Sequence, residues 1–223
     1  MNIAAYIDHT VLKPGTTLAD VKQLCAEAIE QQFAAVCVPP FYVAAAKELL
    51  QTSNVKVATV IGFPFGYSIL SSKLQEIKEA IADGADELDM VHSIAALKSG
   101  DWDYLLNEVK ACTELVHKSG KVIKLIVESG ILTEAELIQC CQLYAPLDID
   151  FMKTSTGYAE KGATIESVKT MRRYLPESIA IKASGGIRTF AFAKELVDAG
   201  ATRIGCSAGI QIVKESKAVN LQA

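Results

Sequence analysis

Eight short apolar runs recur along the chain, separated by stretches of helical period, and this alternation limits the possible folds more than any other feature. The runs are AYIDHT (5–10), AAVCV (34–38), VATVIGF (57–63), ELDMV (87–91), VIKLIVES (122–129), IDFMKTS (149–155), IAIKAS (179–184) and TRIGCS (202–207). Several are rich in β-branched and apolar residues without clean alternation, which suits parallel strands covered by helices. Between them lie LADVKQLCAEAIEQ, LSSKLQEIKEAIADG and WDYLLNEVKACTELVHKSG. The last two reach glycine soon after their apolar repeat stops, a common helix C-terminus signal. Eight β-then-α units predict an α/β fold, a single (β/α)8 TIM barrel. A doubly wound open sheet is the alternative, but its edge strands would be too apolar for edges. No Pro/Ser/Gly-rich linker or low-complexity tract divides the chain, so residues 1–223 read as one catalytic barrel domain.

Composition excludes several function classes. The net charge is −4 and no Lys/Arg block forms a basic patch, which argues against a nucleic-acid partner. Any attraction for an anionic substrate must therefore be local. No apolar run approaches the roughly 18 residues of a membrane span, so no membrane partner is expected. The six cysteines lack CxxC spacing. Without a signal peptide they read as reduced, mostly buried thiols of a cytoplasmic protein, with adjacent Cys140 and Cys141 suited to one helix turn. His9, His92 and His117 are far apart and form no HxH or HExxH, so no metal site is expected.

In a (β/α)8 barrel the chemistry sits at the C-terminal ends of the strands. Asp8, Cys37, Asp89, Glu128, Lys153, Lys182 and Ser207 all fall at or near those ends. Four runs also carry a charge within apolar sequence: Asp89, Lys124, Lys153 and Lys182. One reading is a salt-bridged polar layer in which Asp89 neutralises a lysine. However, buried ion pairs seldom improve stability over apolar packing. The other reading is chemical. Two ammonium groups in one pocket raise the cost of charging both, so one loses its proton. The free amine can attack a carbonyl and form a Schiff base, an electron sink for breaking a neighbouring C–C bond. A nearby aspartate, directly or through a water, can then carry protons.

Two glycine-bearing loops follow the last two strands. ASGGIRT (183–189) contains Gly185 and Gly186, which let backbone approach a ligand closely. GCSAG (205–209) contains Gly205, Ser207 and Gly209 and opens the last helix, where exposed N–H groups can hold a phosphate. Barrel enzymes often place a phosphate in this position. Thr154, Ser155, Thr156 and Gly157 of TSTG could extend the polar surface.

These residues carry a resemblance. KTSTG (153–157), GAT (162–164), KASGGIRT (182–189), GADELDMV (84–91), IGFPFG (61–66) and IDHTVLKP (7–14) together resemble the deoxyribose-phosphate aldolase family across nearly the whole chain. The resemblance implies a metal-free, cofactor-free class I aldolase that reversibly cleaves 2-deoxy-D-ribose 5-phosphate to D-glyceraldehyde 3-phosphate and acetaldehyde. It implies that Lys153 forms the Schiff base and that Lys182 keeps Lys153 deprotonated and shares in proton transfer. Asp89 would be the proton donor or acceptor with Lys182 through a water. Gly185, Gly186, Gly205 and Ser207 would hold the phosphate, with Thr156 and Gly157 beside them, in a homodimer or homotetramer. The chain departs from the family's pattern at His92 and Ser93, at Pro39, in YSILSS (67–72) and in GCSAG. Those near Asp89 could retune proton transfer. The departures at His92, Ser93 and 67–72 leave open a Schiff-base aldolase for another sugar phosphate. A barrel that binds a sugar phosphate without catalysis is a further alternative. His9 reads as structural.

Overall fold

Each apolar run becomes a strand, most of them trimmed by a residue or more where the backbone turns into a loop. The computed structural model describes residues 1–220. The strands are β1 (Ile7–Thr10), β2 (Ala35–Val38), β3 (Lys56–Ile61), β4 (Glu87–Val91), β5 (Val122–Ile126), β6 (Phe151–Lys153), β7 (Ala180–Ser184) and β8 (Arg203–Cys206). They pair in chain order, all parallel, and β8 pairs back onto β1 through Asp8 opposite Gly205. Closure removes the edges that an open sheet of such apolar strands would expose, so the doubly wound alternative is excluded. The architecture is the (β/α)8 TIM barrel.

The outer layer comprises α1 (Leu18–Gln31), α2 (Val43–Leu49), α3 (Leu70–Ala82), α4 (Ile94–Lys98), α5 (Trp102–Lys118), α6 (Glu134–Tyr144), α7 (Ile165–Tyr174), α8 (Phe190–Asp198) and α9 (Gly209–Asn220). Capping boxes start α1, α6 and α7, pairing Thr17 with Asp20, Thr133 with Glu136 and Thr164 with Ser167. After α3 and α5 the chain turns at Gly84 and Gly120, both at positive φ. Cys140 and Cys141 are buried on α6, and none of the six cysteines is in a disulfide. Among the described residues no helix is long and apolar enough to cross a membrane.

Alternation along each strand sends side chains two ways. Ile7, Val36, Val57, Leu88, Ile123, Met152, Ile181 and Ile204 are fully buried in the main core. The barrel interior is divided. Ala35, Cys37, Ala58 and Val60 of β2 and β3 form a separate small apolar cluster with Leu12 and Phe63. Strands β1, β4, β5, β6 and β7 contribute buried charges, and β8 contributes the half-buried Arg203. The residues expected at or near strand ends all lie within two residues of one. Lys153 ends β6, and Ser207 and Glu128 follow β8 and β5, but Asp8, Asp89 and Lys182 lie inside β1, β4 and β7. The polar site is thus more than one layer deep.

Candidate active site

Strand register stacks the interior charges into a column. At the N-terminal end Arg203 donates to Asp8 Oδ1 at 2.7 Å and to Glu87 Oε2 at 3.1 Å. Above them Lys124 is ion-paired with Glu87 at 2.6 Å, donates to Asp89 Oδ1 at 2.7 Å, and stands 3.5 Å from Asp8. Higher still, Lys182 donates to Asp8 at 2.5 Å and to Asp89 Oδ2 at 2.6 Å. Lys153, opposite Lys182 in the β6–β7 register, donates to that same Asp89 oxygen at 2.7 Å.

Four cationic side chains (Arg203, Lys124, Lys182, Lys153) therefore face three carboxylates (Glu87, Asp8, Asp89). Fully ionised, the column would hold one uncompensated positive charge in a dry interior, which is costly. Lys153 is where that cost falls. It touches one carboxylate oxygen and shares it, whereas Lys182 and Lys124 each contact two carboxylates or more. Burial pulls the Lys153 amine below its ordinary 10.5; Asp89 opposes this, and the neighbouring Lys182 charge adds to it. Burial also works against Lys182, but Asp8 and Asp89 outweigh it and raise that amine. Burial would raise Asp89, yet Lys124, Lys153 and Lys182 hold it well below the usual carboxylate range. The Cys37 thiol in the same interior is pushed up to about 11, mainly by burial, so it stays protonated at neutral pH.

A cavity of about 1220 Å³ opens above the column. Lys153 is the one buried lysine on its wall; Lys182 and Asp89 lie beneath its floor, fully buried. Thr156, Gly157, Gly185, Gly186, Gly205 and Ser207 all line it. Their parts differ. Gly186 has φ +77° and open space where a side chain would stand. Gly205 is packed instead: a Cβ there would lie 2.9 Å from Lys182 Cε, so its bareness makes room for Lys182. Thr156 is already engaged, since its N–H donates to Glu128 at 3.3 Å and its hydroxyl to the same carboxylate. Thr154 and Ser155 are buried and off the cavity wall. Thr154 exchanges hydrogen bonds with the Ser184 backbone, and Ser155 accepts from the Ser184 hydroxyl. TSTG thus ties β6 to its neighbours more than it extends the polar surface.

The sequence reading missed several residues. Asp8, expected near a strand end but given no role, belongs to the column. Glu87 and Arg203 were unassigned because each opens a strand and looks like ordinary surface charge. Lys13 and Arg188 line the cavity and supply the local positive charge that an anion needs; both lie inside the quoted motifs IDHTVLKP and KASGGIRT. Tyr158 bridges the mouth, its hydroxyl donating to the Leu12 carbonyl at 2.7 Å and its ring edge-on to Phe63 at 5.5 Å. His9 is buried and bonded to Glu27 at 2.7 Å.

His92 and Ser93 do not face Asp89. The His92 ring pairs with the Tyr144 hydroxyl of α6 at 2.8 Å, and burial lowers its pKa to about 3, so it is neutral. Ser93 caps α4. Both follow the end of β4 and are held by the outer layer, His92 by Tyr144 of α6 and the Ser93 N–H by Glu108 of α5 at 2.8 Å, which removes the reason to expect them to retune Asp89.

Comparison with known proteins fits this geometry. Residues 2–215 match the family described as DeoC/LacD family aldolase. A deoxyribose-phosphate aldolase of Caldicellulosiruptor saccharolyticus is 47% identical over 214 residues, covering 96% of this chain and 97% of that protein. One from an Exiguobacterium species is 49% identical over 214 residues, covering 96% of each. Among solved structures, the deoxyribose phosphate aldolase of Aeropyrum pernix, described as a unique tetramer, superposes with a TM-score of 0.90. It shares 32% identity over 97% of this chain and 92% of that one.

Proposed function

The chain belongs to the DeoC/LacD aldolase family, and on that premise we propose that it reversibly cleaves 2-deoxy-D-ribose 5-phosphate to D-glyceraldehyde 3-phosphate and acetaldehyde. Lys153 is the nucleophile. Its free amine adds to the C1 aldehyde of the open-chain sugar, and loss of water leaves an iminium. A base then takes the C3 hydroxyl proton, the C2–C3 bond breaks, and its electron pair moves to C2 as an enamine on Lys153. Glyceraldehyde phosphate departs; protonation at C2 and hydrolysis release acetaldehyde and the free amine. Asp89 and Lys182 move the protons, working beside Lys153 through the shared Oδ2.

The observation that carries this reading is positional. Of the three buried lysines in the column only Lys153 reaches the cavity, and its partner oxygen is the one that Lys182 also holds. The phosphate lies across the cavity, against the open backbone at Gly186, Ser207 and the start of α9, with Lys13 and Arg188 as counter-charges. Gly185 and Gly157 shape that wall. Gly205 serves it through backbone only, and Thr156 braces the turn through Glu128.

Residues 1–223 act as one catalytic domain of a cytoplasmic homodimer or homotetramer, with no metal or cofactor. Exposed Phe41, Phe65, Tyr67 and Ile69 give apolar surface for such an assembly, and light scattering of the purified protein reads its mass. The deciding experiment is twofold. Acetaldehyde must appear when the enzyme meets deoxyribose 5-phosphate, with or without a chelator. Borohydride must fix one two-carbon adduct on Lys153 in the presence of acetaldehyde. An adduct on another lysine, or none, would end this assignment.

A further inference from the structure

Lys124 is fully buried, absent from the cavity wall and too deep to meet substrate. It stands opposite Asp89 in the β4–β5 register and takes Asp89 Oδ1 at 2.7 Å. The other oxygen, Oδ2, is left to Lys153 and Lys182. We propose that Lys124 is a positioning residue of the reaction: its ammonium group anchors Oδ1 and so presents Oδ2 between Lys153 and Lys182. The inference rests on the aldolase reading above and adds to it a residue that acts only through Asp89.

The argument turns on which charges stay constant. During turnover Lys153 becomes an imine and loses its role as an ordinary ammonium donor. Lys182, above Asp89, exchanges protons. Neither can hold the carboxylate steadily through the cycle. Arg203 carries a permanent charge, but it reaches Asp8 and Glu87 rather than Asp89. Lys124 alone gives Asp89 a cation that takes no part in the chemistry, and Glu87 beneath it at 2.6 Å keeps that cation in place.

The groups around Asp89 are Asp8 from β1, Cys37 from β2, Lys124 from β5, Lys153 from β6 and Lys182 from β7. The β3 neighbour in register is the apolar Val60. Of the cations, Lys124 is therefore the one that can be removed without touching a reacting nitrogen.

The test is the pH profile of kcat for cleavage of deoxyribose 5-phosphate by wild type, Lys124→Met and the double variant Lys124→Met/Glu87→Gln. The profile of kcat belongs to the bound complex, where Lys153 is already an imine, so its acid limb reads the carboxylate rather than the free amine. An opposite charge within reach shifts a carboxyl by about one to three units. Loss of Lys124 should therefore bring an acid limb up by at least about one unit in both variants, with KM changed much less than kcat. The double variant removes one charge of each sign, so it keeps the column's balance and is expected to fold if the single one does not. Glu87→Gln alone should raise no acid limb.

An acid limb unmoved in a folded variant, or full kcat restored by the double substitution, would overturn the proposal. Failure of both variants to fold would assign Lys124 to the scaffold and overturn it equally. Wild type run beside them separates the two levels. No wild-type cleavage and no Lys153 adduct refutes the aldolase reading itself. Wild-type turnover with unshifted variants refutes only the role of Lys124.

Discussion

Lys153 and Lys182 stand opposite each other on β6 and β7, and both ammonium groups donate to the single oxygen Oδ2 of Asp89, at 2.7 and 2.6 Å. The two are nevertheless not equivalent. Lys182 has a second carboxylate, Asp8, and Lys153 has none. The pair thus divides into an amine made more basic by its two carboxylates and one made less basic by burial.

Lys153→Leu should lose all measurable cleavage. It also takes away the one amine of the column without a carboxylate of its own, leaving three cations against three carboxylates. Thermal unfolding should occur at the wild-type temperature or above it, at about 2–4 °C per kcal/mol for a chain of this size. A clear fall in Tm would mean that Lys153 is needed to neutralise Asp89 and is not the surplus group.

Lys182→Leu acts in the opposite sense. Asp8 and Asp89 each lose a partner, so stability should fall by about 3–5 kcal/mol and kcat by about 10²–10⁴-fold. The Lys182 charge helps to lower the Lys153 amine. Without it that amine becomes more basic, and the acid limb of kcat/KM moves to higher pH. A limb that stays put would show that burial alone sets the Lys153 amine.

Acid should unfold the barrel through the column. Burial would raise Asp8 and Asp89, but Lys182, Lys124 and Arg203 for Asp8, and Lys124, Lys153 and Lys182 for Asp89, hold both below the ordinary 3.8. Their contribution to stability is present in full above that value and is lost as pH falls below it. Denaturant titrations from pH 7 to pH 2 should show Asp8→Asn less stable than wild type at pH 7 but with a shallower loss below pH 4. Parallel curves would contradict this.

Gly205→Ala and Gly186→Ala separate packing from ligand approach. A methyl at 205 would stand 2.9 Å from Lys182 Cε and Ser184 Cβ, so kcat and Tm should both fall. A methyl at 186 meets nothing within 4 Å but sits at φ +77°, a strain of about 1–2 kcal/mol. There KM for the phosphate substrate should rise more than kcat falls. The reverse pattern would exchange the roles given to the two glycines.

Thr156→Val tests whether that hydroxyl braces the turn or meets substrate. Removing it leaves the buried Glu128 carboxylate short of a donor, which costs about 1–3 kcal/mol. Tm should drop while KM stays near wild type. A large rise in KM at unchanged Tm would return Thr156 to the phosphate.

The barrel could be read from the chain because its evidence is local. Runs such as ELDMV and helices such as LADVKQLCAEAIEQ announce themselves within a dozen residues, and eight strands without a plausible edge leave closure as the consistent arrangement. Lys153, Lys182 and Asp89 stood out for a similar reason, being charges inside apolar strands. Closure of the barrel decided the rest. Asp8 and Arg203 are 195 residues apart in sequence yet bonded at 2.7 Å, because β8 returns to β1 and alternation points both inward. The same closure put Lys182 beneath the cavity and Lys153 on its wall and packed Gly205 against a lysine, while packing against α6 turned His92 away from Asp89. Local pattern shows that a charge is buried, but its partners come from strands that meet only when the sheet closes, and those partners decide which amine is made less basic.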